Sequence, residues 1–184
     1  PTEPHITMTY LDEKDRVVVV TSTQVPFHAR RIVARVNEIP LHRVRVIKPR
    51  TGGAFGAKQE IVLEDLCAAL PLRTRRPVKM RLDRDEELAA SRTRHPGRIR
   101  VRTGVMNDGT LTAIEMTALV NSGAYGTHSA TVSSNTGSKS LPLYRAPNLK
   151  FLAECVYTNL PISGALRGYG APQEIGRASC RERV

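Results

Sequence analysis

The spacing of apolar and polar positions divides the chain into short elements. Ile6–Leu11 and residues 16–22 read as two strands joined by the polar turn Asp12-Glu13-Lys14-Asp15. The run Val17-Val18-Val19-Val20 is β-branched throughout and suits a strand covered on both faces. Thr21-Ser22-Thr23-Gln24 leads to a helix over residues 26–37, with Pro26 in its first turn. Helical spacing sets Phe27, Ile32, Val33 and Val36 to one side and Arg30, Arg31 and Arg35 toward water. Val44–Ile47 is a short strand, ended by Lys48-Pro49, and a glycine-rich loop follows. A second helix is expected over residues 60–70, with Ile61, Val62, Leu66, Ala69 and Leu70 apolar and Pro71 ending or kinking it.

Farther along, residues 78–82 read as a strand and 83–90 as a short helix with acids in its first turn. Residues 98–106 and Leu111–Asn121 form a hairpin about Asn107-Asp108-Gly109, residue types that tolerate positive φ. Residues 122–147 are small, polar and dotted with glycine, which predicts a surface or ligand-facing connection. A last strand over 150–158 enters a second glycine loop at 164–173. There is no internal repeat. This order of elements predicts an α+β (mixed α/β) architecture.

At 184 residues, 40% hydrophobic and 24% charged, the chain can bury the core of one domain or two small ones. Aromatics make up 4% with no Trp, so that core is aliphatic. No apolar run approaches the roughly 18 residues of a membrane span, and no signal-peptide pattern opens the chain. Cys67, Cys155 and Cys180 are too scattered for a disulfide framework, so a reducing cytoplasm is expected. Cys67 reads as a small core residue of the second helix and Cys155 as a buried strand residue. His5, His28, His42, His95 and His128 show no zinc-ligand spacing. Asp83 to Glu87 read as capping and solvated.

The net charge of +11, from 28 Lys and Arg against 17 Asp and Glu, raises a nucleic-acid reading. The basic residues are densest from Arg73 to Arg102, and in Arg98-Ile99-Arg100-Val101-Arg102 they alternate with apolar residues, the pattern of one solvated strand face. No aromatic interleaves the run, so it offers no stacking platform for bases.

Glu174-Ile175-Gly176-Arg177-Ala178-Ser179-Cys180-Arg181-Glu182-Arg183-Val184 resembles a translated short-read sequencing adapter and is set aside from fold reasoning. With Pro1 in place of Met, the chain is expected to be a gene fragment truncated at both ends, its native part being residues 1–173.

The candidate chemistry lies in the two glycine loops. The first, Arg50-Thr51-Gly52-Gly53-Ala54-Phe55-Gly56-Ala57-Lys58, lies between an expected strand and an expected helix, where backbone N–H groups and a helix N-terminus can meet an anion. It is neither a P-loop, since Ala57 and Gln59 stand where Gly and Ser or Thr are needed, nor a dinucleotide fingerprint.

The residue order carries more. Thr51-Gly52-Gly53-Ala54-Phe55-Gly56-Ala57-Lys58 resembles the G-G-x-F-G-x-K loop of the molybdenum hydroxylases, the xanthine dehydrogenase and aldehyde oxidase family. Ala165-Leu166-Arg167-Gly168-Tyr169-Gly170-Ala171-Pro172-Gln173 is similar to that family's A-x-R-G-F/Y-G-x-P-Q. Glu3-Pro4-His5, Ser22-Thr23-Gln24-Val25-Pro26, Arg76-Pro77-Val78-Lys79 and Asn121-Ser122-Gly123-Ala124-Tyr125 match further landmarks in the same order.

The resemblance implies part of the molybdopterin-binding domains of the large, molybdenum-binding subunit. Such enzymes hydroxylate a purine-like heteroaromatic ring or an aldehyde with oxygen from water, and relatives act on nicotinate, aldehyde or hydroxybenzoyl-CoA substrates. It implies molybdenum-molybdopterin as cofactor, in some relatives as the cytosine dinucleotide. [2Fe–2S] clusters and FAD are expected on other subunits or segments, in a cytoplasmic oligomer. Gly52, Gly53, Phe55, Gly56, Arg167 and Gly168 would contact the cofactor, the Phe55-Gly56 backbone lying near the metal without coordinating it. Gln59, Arg167 and Tyr169 would contact substrate, Tyr169 by stacking. The general-base Glu is expected beyond Gln173. Gln59 departs from the Glu that many xanthine-oxidising relatives carry there, and Lys58 and Gln59 also fit a helix start without substrate contact. Tyr169 adds a hydroxyl where animal enzymes carry Phe. From another class, the alternative is a small basic nucleic-acid-binding protein.

Overall fold

The structure is a computed structural model and describes residues 1–173; the adapter-like stretch lies outside the described residues. The chain divides into two compact units, Pro1–Ser91 and the part from Arg92 onward. Both combine a sheet with helices, as the α+β expectation required.

The first unit is a four-stranded sheet of β1 (Ile6–Leu11), β2 (Val17–Thr21), β3 (Val44–Ile47) and β4 (Val78–Arg81) in the order β3-β2-β1-β4. β1 pairs antiparallel with β2 and β4, while β2 and β3 run parallel through α1 (Pro26–Val36). Val17, Val18 and Val19 are buried, as the β-branched run predicts. Val17, Val19, Val33, Ala34 and Val44 form the core with Ala68 from α2 (Glu64–Thr74).

α2 turns a different face inward from the one expected, and α1 does so in part, keeping the expected Val33 buried. In α1 the buried residues are Ala29, Val33 and Ala34, whereas Phe27 is 81% exposed and Val36 is also exposed. Small side chains at 29 and 34 let the helix sit close to the valine strands, and close approach decides its rotation. Arg30, expected in water, is half-buried and donates to the Val44 and Leu41 carbonyls at 2.9 Å each. In α2 the buried residues are Glu64, Cys67, Ala68 and Pro71, with Leu66 and Leu70 exposed.

α2 also begins four residues later than expected and runs through Pro71. A proline inside a helix cannot donate to the carbonyl four residues back, here that of Cys67. That carbonyl instead accepts from Thr9 Oγ1 of β1 at 2.6 Å. The sheet thus supplies the bond the helix lacks. Cys67 lies in the core as predicted, and burial pushes its thiol up.

A seven-residue helix, α3 (Arg84–Ala90), follows β4 and starts in a capping box between Asp83 and Glu86. Glu87, expected in water, is buried; it accepts from the His5 N–H at 2.9 Å and lies 2.7 Å from His5 Nδ1. Burial alone would raise the Glu87 carboxyl, but the His5 N–H and imidazole outweigh it and hold it below the usual value.

The second unit is a three-stranded sheet, β5 (Gly97–Val105), β6 (Leu111–Asn121) and β7 (Asn148–Val156), in the order β5-β6-β7. β5 and β6 form the predicted hairpin, and Arg98, Arg100 and Arg102 lie exposed along one face. β7 runs parallel to β6, so the connection between them has to cross over. It does so through α4 (Ser129–Ser140), a helix in the stretch expected to be a connection. Its buried residues, Ser129, Val132, Ser133, Thr136, Gly137 and Ser140, recur at helical spacing but are nearly all small and polar. The period is there without the hydrophobicity that usually marks it. At Gly137 a Cβ would lie 2.6 Å from the Phe151 ring of β7, and the Thr136 and Ser140 hydroxyls donate to carbonyls four residues back. Cys155 is exposed, contrary to expectation, because β7 is an edge strand with no buried position. Among the described residues, no helix is long and apolar enough to cross a membrane.

The Thr9–Cys67 bond makes a specific prediction. Thr9→Val should lower stability in urea melts by about 1–3 kcal/mol, the cost of an unsatisfied buried carbonyl. Adding Pro71→Ala should restore most of it, because the new backbone N–H reaches that carbonyl. If the second change brings no recovery, Thr9 does not substitute for the missing helix bond.

Candidate functional site

The first glycine loop leaves the carboxyl end of β3 and lies beside the carboxyl end of β2, a location where open α/β sheets commonly bind ligands. Lys58 has no exposed surface. Its Nζ lies 2.7 Å from Glu3 Oε1 and donates to Ser22 Oγ at 2.8 Å. Ser22 Oγ bonds the same carboxylate, whose other oxygen accepts from the Gly52 N–H at 2.6 Å. Hydrogen bonds from Lys58 and Ser22 hold the Glu3 carboxyl at about 2, well below the usual 4.5, against a smaller opposing effect of burial.

The anion that meets this loop is therefore the protein's own carboxylate. The helix N-terminus expected beside the loop is not there. α2 starts at Glu64, whose side chain accepts from the Val62 and Leu63 N–H groups and from the Thr21 hydroxyl. Lys58 and Gln59 are accordingly not helix-start residues.

Around this anchor the loop is held by backbone. The Gln24 N–H donates to the Lys58 carbonyl at 2.8 Å, and the Gly56 N–H donates to Gln24 Oε1 at 3.2 Å. Gly53, Phe55 and Gly56 all have positive φ, at 97°, 53° and 94°. For Phe55 this is an unfavoured conformation that persists because its neighbours are fixed. Phe55 is 52% exposed and Gln59 half-buried. Thr51 Oγ1 is buried with no hydrogen-bond partner among the described residues. An exposed, pre-bent main chain beside one unsatisfied hydroxyl would fit a cofactor that presents polar groups to it.

The second loop belongs to the other unit. Gly168, Tyr169 and Gly170 take positive φ in succession, at 92°, 45° and 108°. The turn is closed by Tyr169 N–H to the Leu166 carbonyl at 2.8 Å and Ala171 N–H to the Gly168 carbonyl at 3.1 Å. Arg167 is exposed, and its carbonyl accepts from Arg94 at 2.8 Å, with Arg94 also reaching Gln173. Among the described residues, no group of three or more His, Cys, Asp or Glu could hold a metal ion. Sequence reading missed the Glu3–Lys58–Ser22 network, although all three residues lay within the motifs that carried the resemblance.

Glu3→Gln should strand a wholly buried ammonium and lower stability by about 3 kcal/mol or more. Lys58→Met should cost less, since the Glu3 side chain is 30% exposed and keeps Ser22 and Gly52. A carboxyl lowered from 4.5 to about 2 stabilises fully above pH 4.5, and its contribution is lost as pH falls toward 2. Acid titration of urea stability should show that loss in the wild type and a shallower one in Glu3→Gln. Equal slopes would rule the pair out as the anchor.

Residues 1–177 match the family model of the molybdopterin cofactor-binding domain. The chain is 47% identical over 173 residues to a probable hypoxanthine oxidase of Escherichia coli O157:H7, across 94% of this chain and 18% of that protein. It is 41% identical over 169 residues to a putative xanthine dehydrogenase molybdenum-binding subunit of Escherichia coli K12, across 91% of this chain and 22% of the relative. Among solved structures, aldehyde oxidoreductase from Desulfovibrio gigas is similar with a TM-score of 0.87 at 27% identity, across 95% of this chain and 19% of that one. The chain thus spans about a fifth of the length of these relatives. With the glycine loops in family order and the fold in agreement, the chain belongs to the molybdopterin-binding domains of the xanthine dehydrogenase and aldehyde oxidase family of molybdenum hydroxylases.

Proposed function

We propose that this chain lends its two glycine loops to cofactor and substrate binding in a molybdenum hydroxylase acting on a purine-like heteroaromatic ring or an aldehyde. The observation that carries the reading is the segment from Gly53 to Gly56, which holds three residues at positive φ beside a half-exposed Phe55. A backbone so bent can approach a bulky group without Cβ interference, and its conformation is fixed before the group arrives.

When bound, molybdenum-molybdopterin supplies the redox centre that accepts two electrons as an electrophilic carbon takes oxygen from water. The chain's residues bind and orient. Gly52, Gly53, Phe55 and Gly56 would line the cofactor through main chain, with the Gly52 N–H already bonded to Glu3. In the second loop, Arg167 and Gly168 would contact the cofactor, Arg167 bringing a planar set of donors to its anionic groups or to substrate oxygen. Gln59 offers both a donor and an acceptor to a substrate edge, and Tyr169 offers a stacking face. The general base is a Glu later in the complete protein. The cytosine dinucleotide form of the cofactor, partner [2Fe–2S] and FAD centres, an oligomeric assembly and a cytoplasmic location complete the reading.

Gln59 favours a second reading within the family. An amide cannot ionise to meet a purine as Glu would, which suits a nicotinate, an aldehyde or a hydroxybenzoyl-CoA-type substrate. Neither the family nor the relatives named above support the nucleic-acid alternative.

The test uses the complete protein with its electron-transfer partners, assayed for dye reduction with hypoxanthine, nicotinate and benzaldehyde. Purified enzyme should contain molybdenum and oxidise hypoxanthine, whereas residues 1–184 alone should reduce no dye. Gly56→Val should remove most of the molybdenum measured by mass spectrometry while leaving the far-UV circular dichroism intact. Full molybdenum content in that variant would defeat the cofactor reading, and oxidation of benzaldehyde or nicotinate without hypoxanthine would favour the second one.

A further inference from the structure

We propose that His128 is a positioning residue that sets the plane of the Tyr169 ring, making the second loop a preformed stacking wall for a planar substrate. The inference rests on the reading of Tyr169 as a substrate contact.

A tyrosine side chain turns about two torsions, and on a surface loop its ring samples several orientations. Here it is held at both ends. At the backbone, Tyr169 sits at φ 45° between two glycines also at positive φ, a conformation costly for a residue with a Cβ. That backbone is pressed onto α4, since a Cβ at Gly170 would stand 2.4 Å from the Val132 carbonyl oxygen and 2.9 Å from Thr136 Oγ1. At the far end, the phenolic oxygen shares a hydrogen bond with His128 Nδ1. The two rings meet edge to face at 5.7 Å with an interplanar angle of 73°.

His128 is itself fixed. It immediately precedes α4, and its carbonyl accepts from the Val132 N–H at 2.9 Å within the first helical turn. Ser129, the next residue, donates its N–H to the Gly126 carbonyl at 3.2 Å, and its hydroxyl lies 3.0 Å from His95 Nε2. One helix therefore sets both the backbone of residue 170 and the hydroxyl of residue 169. Phenylalanine could fill the same space but could not make the bond to His128. The tyrosine and the histidine act together as one device, in which the ring needs no reorientation when a flat ligand arrives.

The experiment uses the complete molybdenum-loaded enzyme, reduced with dithionite so that ligands bind without turnover. Equilibrium dialysis measures hypoxanthine, nicotinate and benzaldehyde in parallel. His128→Leu should weaken the bound probes about tenfold, of the order of one lost hydrogen bond and its ordering. His128→Asn, which can still accept from the phenol, should recover part of that loss. In a Tyr169→Phe background, His128→Leu should have little further effect. In turnover assays the His128→Leu change should fall on KM more than kcat, with molybdenum content and Tm near the wild type.

An equal loss in the Tyr169→Phe background would overturn the proposal, because the histidine would then act through the fold alone. Unchanged binding in His128→Leu beside weakened binding in Tyr169→Ala would overturn positioning and leave the substrate role of Tyr169 standing. Unchanged binding in Tyr169→Ala, or no binding of any probe by the wild type, would overturn the reading on which the proposal rests.

Discussion

A lysine ammonium without solvent must have its charge and its donors met inside the protein, and Lys58 meets that demand through Glu3 and Ser22. The three residues lie in the N-terminal segment, at the end of β2 and in the loop after β3, so their contact fixes three distant stretches at once. The second oxygen of Glu3 then takes the Gly52 N–H, and Gln24, two residues past Ser22, grips the loop at Lys58 and Gly56. The positive-φ backbone at Gly53, Phe55 and Gly56 rests on this anchored base. A conformation that strains a phenylalanine persists where its neighbours leave it no alternative.

The second unit solves the same problem without a buried ion pair in its loop, although Arg94 grips the loop at the Arg167 carbonyl. Its loop is fixed by close approach, with small residues of α4 facing β7 on one side and Gly170 against the helix backbone on the other. Close packing of small residues transmits position as firmly as an ion pair, since a displacement of a fraction of an ångström meets repulsion. The two loops that carry the family resemblance are thus rigid for different physical reasons.

Three buried polar groups of the first unit are each completed by a residue far away in sequence. The Thr9 hydroxyl replaces the helix bond that Pro71 cannot donate, Glu64 takes the Thr21 hydroxyl, and Glu87 takes the His5 N–H. Removing one partner in such a network leaves the other buried and unsatisfied, so these residues are coupled more tightly than their separation suggests. None of the three pairings has a local signature.

The sequence by itself determined the strands, the hairpin, the mixed class and the family, because strand periodicity, turn chemistry and motif order are properties of neighbouring residues. Val17 to Val19, the Asn107-Asp108-Gly109 turn and the Asp83 cap all lie where their local chemistry puts them. The two glycine loops were legible as sites through residue order, and what holds them was not. Only the tertiary structure decided which faces of α1 and α2 are buried, because Ala29, Ala34 and Ala68 win by allowing close approach where larger apolar residues do not. It also decided that a run of serines and threonines is helix α4, that Pro71 stays inside a helix, and that Lys58 faces Glu3 instead of a ligand. Each outcome depends on a partner dozens of residues away, and a pattern read along the chain carries no information about what will be across from it.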